Sequence, residues 1–332
     1  MDAIKVEKLT KKFGDFVAVD SLSFAVKTGE LFGLLGPNGA GKTTTINILS
    51  TLLKSTSGHA EVAGFDVSLH KDDVRRSIGI VFQEPALDFQ LTGRENLEFH
   101  AMMYGMQKKL RDERINEVLS LVELKDKADV LVENYSGGMK RRLEIARGLI
   151  HRPKVLFLDE PTLGLDPQTR RHIWEYIQKL NKEGQVTIIL TTHYMEEADY
   201  LCDRIAIIDN GKIVAMDTPA KLKDVLGGDA ICLEIEGDVK KFRDVLSGFK
   251  WVQKIKERER HIDITAVSGE KRIPELMSAA EKTGTNVVSV NLHKPSLEDV
   301  FLHFTGKTIR EEEASQGERN RELIKRRMRM RR

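Results

Sequence analysis

The chain has 332 residues, of which 40% are apolar and 31% charged, a balance that suits a folded protein with room for two domains and excludes a disordered or fibrous one. No run approaches the ~20 consecutive apolar residues of a membrane-spanning helix, and the opening MDAIKVEKLT lacks the apolar stretch of a secretory signal, so the chain is expected not to cross a membrane itself. The net charge of +2 hides a split: 319–332 holds eight Lys/Arg against the single acid Glu322, which leaves the body mildly acidic and implies no nucleic-acid surface outside that tail.

In the first thirty residues Ile4, Val6, Leu9, Val17, Val19, Leu22, Phe24 and Val26 recur at mostly two- or three-residue spacing, which predicts short, half-buried antiparallel strands. Leu31 to Leu35 is a short apolar strand. It leads into a glycine-rich turn and then a helical stretch, KTTTINILSTLL (42–53). Further apolar runs at 78–82, 155–158, 186–190 and 204–208 suit parallel strands buried on both faces. Asn210-Gly211 predicts a hairpin turn.

From about 90 to 150 the period becomes helical. Leu97, Ala101, Met102 and Tyr104 define one predicted face, and Ile115, Val118, Leu119 and Val122 another. This predicts a helical subdomain inserted into an α/β core. Gly227-Gly228 marks an expected boundary. Beyond it, strands over 230–236, 251–257, 260–266 and 286–292 and helices over 238–247 and 270–283 give the order βαββαβ, a small ferredoxin-like α+β sandwich. A last helix spans 296–304, and from Arg310 on the chain is charge-rich, expected disordered or a solvated helix. The domain plan is therefore 1–226, 227–306 and a basic tail, 307–332. Cys202 and Cys232 sit in no metal-spaced array; two lone thiols fit a reducing compartment better than a disulfide.

Gly36-Pro37-Asn38-Gly39-Ala40-Gly41-Lys42-Thr43 satisfies G-x-x-x-x-G-K-[ST] at every fixed position, between a strand and a helix. Glycines let backbone N–H groups turn toward phosphate oxygens, and the helix N-terminus adds a favourable dipole. Lys42 would reach the β- and γ-phosphates, and the Thr43 hydroxyl would ligate Mg²⁺. Gly306-Lys307-Thr308 is a decoy: Phe301 stands where the motif needs glycine, and no strand precedes it. Four apolar residues, 155–158, end in Asp159 and Glu160. A buried strand that delivers a carboxylate to a sheet's edge can hold Mg²⁺, with Asp159 as the metal-side acid and Glu160 placed to polarise a water. An ordinary strand with an acidic turn is the alternative, which the glycine loop makes improbable. Ser136-Gly137-Gly138, before a helical run, reads alone as a plain N-cap turn or a second anion nest.

Together 36–44, Gln83, 136–140, 155–160, Gly164-Leu165-Asp166 and His193 resemble the ATP-binding-cassette ATPases, in that family's order and spacing, over about residues 3–222. PSLEDVFLHFTG (295–306) resembles the accessory domain of daunorubicin-resistance-type exporter ATPases. The resemblance implies a P-loop NTPase cassette with an antiparallel β subdomain, the helical insertion and the small C-terminal domain. It also implies ATP hydrolysis with Mg²⁺ held by Thr43, Gln83 and Asp159. In such proteins an aromatic at the position of Phe13 stacks on adenine, and 36–43 with Thr44 wraps the phosphates. Gln83 touches metal and water and senses a membrane partner. Ser136, Gly137, Gly138 and Met139 contact the γ-phosphate of ATP on the opposite subunit; Tyr135 and Met139 replace the usual leucine and glutamine. Asp166 lies in the loop at the dimer interface, Glu160 activates water, and His193 contacts the γ-phosphate.

The partners so implied are a second copy, head to tail, and an integral membrane permease, which places the chain at the cytoplasmic face of the cell membrane. Cassette ATPases that act on ribosomes or DNA are the alternative. They carry long coiled-coil insertions or two cassettes, whereas here only about ninety residues separate Thr43 from Ser136 and one cassette is present. A simple P-loop kinase would leave Ser136–Gly138 and His193 unexplained. The basic tail reads either as a contact for anionic lipid or as a solvated segment.

Overall fold

The computed structural model describes residues 1–306 except Gln185, Asp238, Glu259 and Arg260. It divides into two units, with the break after Thr218. In the first unit, β1 (Asp2–Phe13) and β2 (Phe16–Lys27) form a four-stranded antiparallel sheet with β4 (Ser57–Val62) and β5 (Phe65–Asp66), ordered β2-β1-β4-β5. The short strands expected here are instead two long ones of 12 residues each. Their uneven apolar spacing has a local cause. The β1–β2 register slips between Val6 and Leu9 and again between Leu9 and Lys11. Lys8 and Ser21 take left-handed φ values of 47° and 54°. Each bulge inserts a residue and shifts the buried positions out of strict alternation.

The second sheet runs β10-β9-β3-β8-β7-β6. Its parallel strands are β3 (Leu31–Leu35), β6 (Ile78–Val81), β7 (Val155–Asp159), β8 (Thr187–Thr192) and β9 (Arg204–Asp209), with β10 (Lys212–Asp217) antiparallel at one edge. Every residue of β3, β7 and β8 is buried. A parallel sheet covered on both faces needs such continuous apolar strands. The β9–β10 turn has positive φ at both Asn210 (46°) and Gly211 (78°), as a two-residue hairpin of the primed type requires. Phe24 and Phe32 stack with ring centroids 5.4 Å apart and join the two sheets in one core with Ile46 and Phe157.

Helices α1 (Lys42–Leu49), α2 (Lys71–Ser77), α6 (Pro167–Gly184) and α7 (Met195–Leu201) alternate with these strands. The inserted helices are α3 (Gly93–Met103), α4 (Lys108–Leu121) and α5 (Gly137–Leu149). Thr92 and Glu95 close a capping box at the start of α3. Leu97 and Ala101 are buried, but Met102 and Tyr104, predicted on the same face, are exposed. Met102 lies one position past the i, i+4 pair and so points off the stripe; Tyr104 instead stacks on His151, centroids 4.0 Å apart. Ile115, Val118, Leu119 and Val122 are all buried. Helix α5 packs on α3, α4, α6 and β6, and so connects the insertion to the sheet.

The second unit begins with α8 (Pro219–Asp224), one helix earlier than the Gly227-Gly228 pair, because α8 packs with α11 (Leu297–Thr305). Between them β11 (Asp229–Glu236), α9 (Val239–Leu246), β12 (Val252–Arg258), β13 (His261–Ala266), α10 (Ile273–Thr283) and β14 (Asn286–His293) give βαββαβ. The antiparallel sheet is ordered β12-β13-β11-β14. Phe242, Leu246 and Leu276 pack on Ile231, Leu233, Ile235, Ile262 and Ile264, a core of its own. Gly306, the glycine of the decoy triplet, closes α11 with φ 71° and is a helix cap. The basic tail, 307–332, lies outside the described residues. Among the described residues, neither Cys202 nor Cys232 is in a disulfide.

Candidate nucleotide site

Strand β3 ends at Leu35, and the loop 36–41 turns straight into α1 at Lys42. The Gly36 N–H donates to the Thr192 carbonyl (3.2 Å) and that of Ala40 to the Pro37 carbonyl (3.2 Å). Gly39 and Gly41 have φ of 82° and 104°. A Cβ on Gly41 would also stand 2.5 Å from the Ala18 carbonyl of β2, so conformation and close approach both demand glycine there. No side chain caps α1. The first turn of α1 is the positive end of the helix, where an anion is favoured.

Lys42 is buried and folds back over this loop. Its Nζ donates to the carbonyls of Gly36 (2.7 Å) and Pro37 (3.0 Å) and lies 3.4 Å from Glu160 Oε1. The other Glu160 oxygen, Oε2, is 2.8 Å from His193 Nδ1. Burial pushes the Glu160 carboxyl up, but the His193 hydrogen bond and the Lys42 ammonium outweigh it and hold the group below the usual carboxylate range. The Glu160 N–H donates to the Thr191 hydroxyl (3.0 Å), which in turn donates to Asp159 Oδ1 (2.5 Å). Glu160 has φ 48°, an unfavourable value for a side-chain-bearing residue, which aims its carboxylate out of the line of the strand.

Thr43 Oγ1 donates to Asp159 Oδ1 at 3.2 Å, across 116 residues of sequence. Two hard oxygen donors stand side by side, the type of ligand Mg²⁺ takes when phosphates and water complete its shell. Among the described residues no cluster of three or more His, Cys, Asp or Glu could hold a metal alone. The pair Thr43 and Asp159 fits a magnesium ion as two of its oxygen ligands. Gln83, expected as a third ligand, is exposed in the loop after β6 and takes no part in the hydrogen bonds of this cluster. Phe13 is 49% exposed at the turn end of the hairpin whose second strand, at Ala18, backs Gly41. Lys11 Nζ lies 4.9 Å from the Phe13 ring centroid.

Ser136 is exposed and caps α5, accepting from the Met139 N–H at 3.2 Å. Gly138 needs to be glycine because the Thr169 methyl would stand 2.6 Å from its Cβ. Asp166 caps α6 by accepting from Thr169 Oγ1 (2.6 Å) and from the N–H groups of Thr169 (3.0 Å) and Gln168 (3.1 Å); these bonds hold its carboxyl low. The serine turn and the Asp166 loop are thus neighbours in one chain. A groove of about 490 Å³ opens beside them between α5 and α6, lined by Ser136, Met139, Arg142, Thr169 and Tyr176.

Sequence reasoning missed several residues here. Arg141 and Glu144 are buried on α5 and bond to the ends of β6 and β7. Their only signal was a pair of opposite charges at i, i+3 on the helix's apolar stripe. Glu197 of α7 is fully buried, and its Oε1 accepts from Thr162 Oγ1 (2.7 Å) and Trp174 Nε1 (2.8 Å). Burial pushes its carboxyl up by more than the Thr192 and Thr162 hydroxyls and the Trp174 indole hold it down. An acid whose pKa is raised by folding stabilises most below its unfolded pKa, and that contribution is lost as pH rises through the folded value. Glu197→Gln removes the titration. Its melting temperature relative to wild type should therefore rise from acid to alkaline pH; a difference independent of pH in thermal melts would refute the assignment.

Comparison with known proteins agrees with this geometry. Residues 19–163 match the family described as ABC transporter. The linearmycin resistance ATP-binding protein LnrL of Bacillus subtilis (strain 168) is 42% identical over 311 residues, 93% of this chain and 100% of that one. The chain belongs to the ABC transporter ATP-binding proteins. Its second unit agrees with this: residues 218–305 match the C-terminal domain of ATP-binding proteins like DrrA1-3. This ABC protein is also 41% identical over 316 residues to the Nod factor export ATP-binding protein I of Burkholderia lata, covering 93% of one and 98% of the other. Among solved structures, the post-hydrolysis dimer of the ATP-binding cassette MJ0796 with ADP and Pi is similar at TM-score 0.58 and 32% identity, over 65% of this chain and 98% of that one. CbiO1 from Clostridium perfringens, part of the ABC transporter complex cbiONQ, is similar at TM-score 0.63 and 28% identity, over 75% of this chain and 96% of that one. This ABC protein is an ATP-hydrolysing enzyme of transport, and no helix among its described residues is long and apolar enough to cross a membrane.

Proposed function

We propose that the chain is the motor subunit of a membrane exporter of drug-like or antibiotic-like compounds, working as a head-to-tail pair at the cytoplasmic face of the membrane and bound there by a separate permease. The observation that carries this reading is the set gathered at the glycine loop: buried Lys42, Asp159 and Glu160, with the half-buried His193 and the exposed Thr43 beside them. Relatives named for linearmycin resistance and Nod factor export support the exporter class.

In this reading Lys42 exchanges the carbonyls of Gly36 and Pro37 for the β- and γ-phosphate oxygens of ATP. Phe13, already exposed, stacks on the adenine. Mg²⁺, when bound, would be held by Thr43, Asp159 and Gln83 and neutralises charge on the phosphates. Glu160, kept ionised by its neighbours, accepts the proton of the attacking water as the bond from the γ-phosphorus to the bridging oxygen breaks. His193 orients Glu160 and meets the γ-phosphate. Ser136 and Gly137 lie exposed at the start of α5, and the nest that they open with Gly138 and Met139 serves the ATP of the second copy.

The permease contact falls on the exposed apolar residues Phe99, Met102 and Met103 of α3, beside a groove that Ala86 and Leu91 also line, in the loop that follows Gln83. The basic tail adds attraction to anionic lipid. Tagged protein taken from detergent-solubilised membranes should carry a polytopic membrane protein in a fixed ratio, and Lys42→Ala should abolish efflux from vesicles. Recovery with ribosomes or DNA instead would overturn the transport reading.

A further inference from the structure

We propose that Arg141 is a positioning residue that couples the serine–glycine turn of one chain to the Glu160 carboxylate of the same chain. Arg141 is 7% exposed and sits on α5, the helix that Ser136 begins. Its guanidinium reaches two separate loops. Nε donates to the Pro161 carbonyl (2.7 Å) and Nη2 to the carbonyls of Asp159 (3.0 Å) and Glu160 (3.2 Å), at the end of β7. Nη1 donates to the Phe82 carbonyl (2.6 Å), the residue before Gln83 at the end of β6.

Glu144, also buried, completes the clamp. Its Oε2 accepts from Arg141 Nη1 (2.9 Å) and its Oε1 from the Ala86 N–H (2.9 Å), in the loop beyond Gln83. One side chain thus holds the backbone of the metal-side acid, of Glu160 and of the Gln83 loop at once. Only a planar fork with several fixed donors can do this; an ammonium on a flexible stem cannot. The strained φ of Glu160 also needs an outside restraint, and three of these bonds fall at or beside that residue.

Between Ser136 and Arg141 lie five helical steps, roughly 7.5 Å at 1.5 Å per residue. A helix transmits a displacement over that length without loss. Movement of the serine turn onto the second copy's nucleotide therefore reaches the Glu160 backbone through Arg141, and through Glu144 the loop of Gln83. Each active site is set by occupancy of the other. This rests on the reading of Ser136–Met139 as the contact to the partner's ATP.

The test is made in the full chain with Arg141→Gln/Glu144→Gln, which avoids a lone buried charge, and with Arg141→Lys, which keeps the charge pair. Both are compared with wild type for thermal melting, mant-ATP affinity, kcat and the Hill coefficient for ATP. The expected result is a cooperative melt, affinity within about threefold of wild type, kcat lower by roughly 10- to 100-fold, as misplacement of about 1 Å gives, and a Hill coefficient near one. Arg141→Lys should fail to restore kcat. A folded variant with wild-type kcat and Hill coefficient overturns the proposal. So does loss of kcat only in proportion to affinity and melting temperature, which marks simple packing. If the double variant does not fold, the same readings on Arg141→Lys decide. A wild-type chain without ATPase activity, or with a Hill coefficient of one, sinks the two-site reading itself and is seen before any variant is made.

Discussion

Replacing Glu160 with glutamine should leave ATP bound and stop its turnover. The amide is nearly the same size and can still accept from Lys42, which stands 3.4 Å from Glu160 Oε1 in the wild type. It cannot take the proton of an attacking water. Loss of a general base lowers rates by roughly 10²–10⁴-fold, and kcat is expected to fall in that range while mant-ATP affinity changes by less than about threefold. With hydrolysis blocked, the protein should elute as a dimer in Mg-ATP and as a monomer without it. Because the wild-type carboxyl is held below the usual carboxylate range by His193 and Lys42 against the effect of burial, it stays ionised at neutral pH. The stability it contributes is present above the ordinary carboxylate pKa and is lost as pH falls through the lower folded value. Steady-state hydrolysis by the Glu160→Gln variant at the wild-type rate would remove Glu160 from the chemistry.

Lys42→Ala should act on binding first. In the wild type its ammonium is buried, directed by two loop carbonyls and one carboxylate. Hydrogen bonds to charged groups contribute about 1.5–3 kcal/mol each, so loss of the phosphate contacts should weaken mant-ATP binding by roughly 10- to 100-fold or more. The same change takes from Glu160 one of the two groups that offset its burial, so the carboxyl should titrate higher than in the wild type. Unchanged affinity would overturn the assignment of the glycine loop.

The parts of this site legible in the sequence are those where one residue type is forced at a fixed spacing. Gly36, Gly41, Lys42 and Thr43 are such a set, because backbone approach, ammonium and hydroxyl each have a single chemical solution. Asp159 and Glu160 were readable because a fully apolar strand ends in two acids. The βαββαβ order of the second unit was readable from alternation, since its sheet buries one side against α9 and α10.

What escaped was held by tertiary contact. Thr191 carries no motif, yet its hydroxyl links Asp159 to the Glu160 backbone. Arg141 and Glu197 are charged residues at buried positions, and nothing in local pattern says which carbonyls or hydroxyls will receive them. The bulges at Lys8 and Ser21 blurred two long strands into apparent short ones. The second unit's start was misplaced at a glycine pair because α8 belongs with a helix some eighty residues later.

The exposed position of Ser136 at the start of α5, if it serves a second copy, has a genetic consequence. In the proposed pair, each nucleotide is enclosed by the loop of one protomer and the serine turn of the other. An allele dead at Lys42 and an allele dead at Ser136, expressed together, rebuild one intact pocket per mixed pair, while either alone builds none. Two silent alleles would then restore part of the ATP hydrolysis, an outcome no single self-contained active site allows.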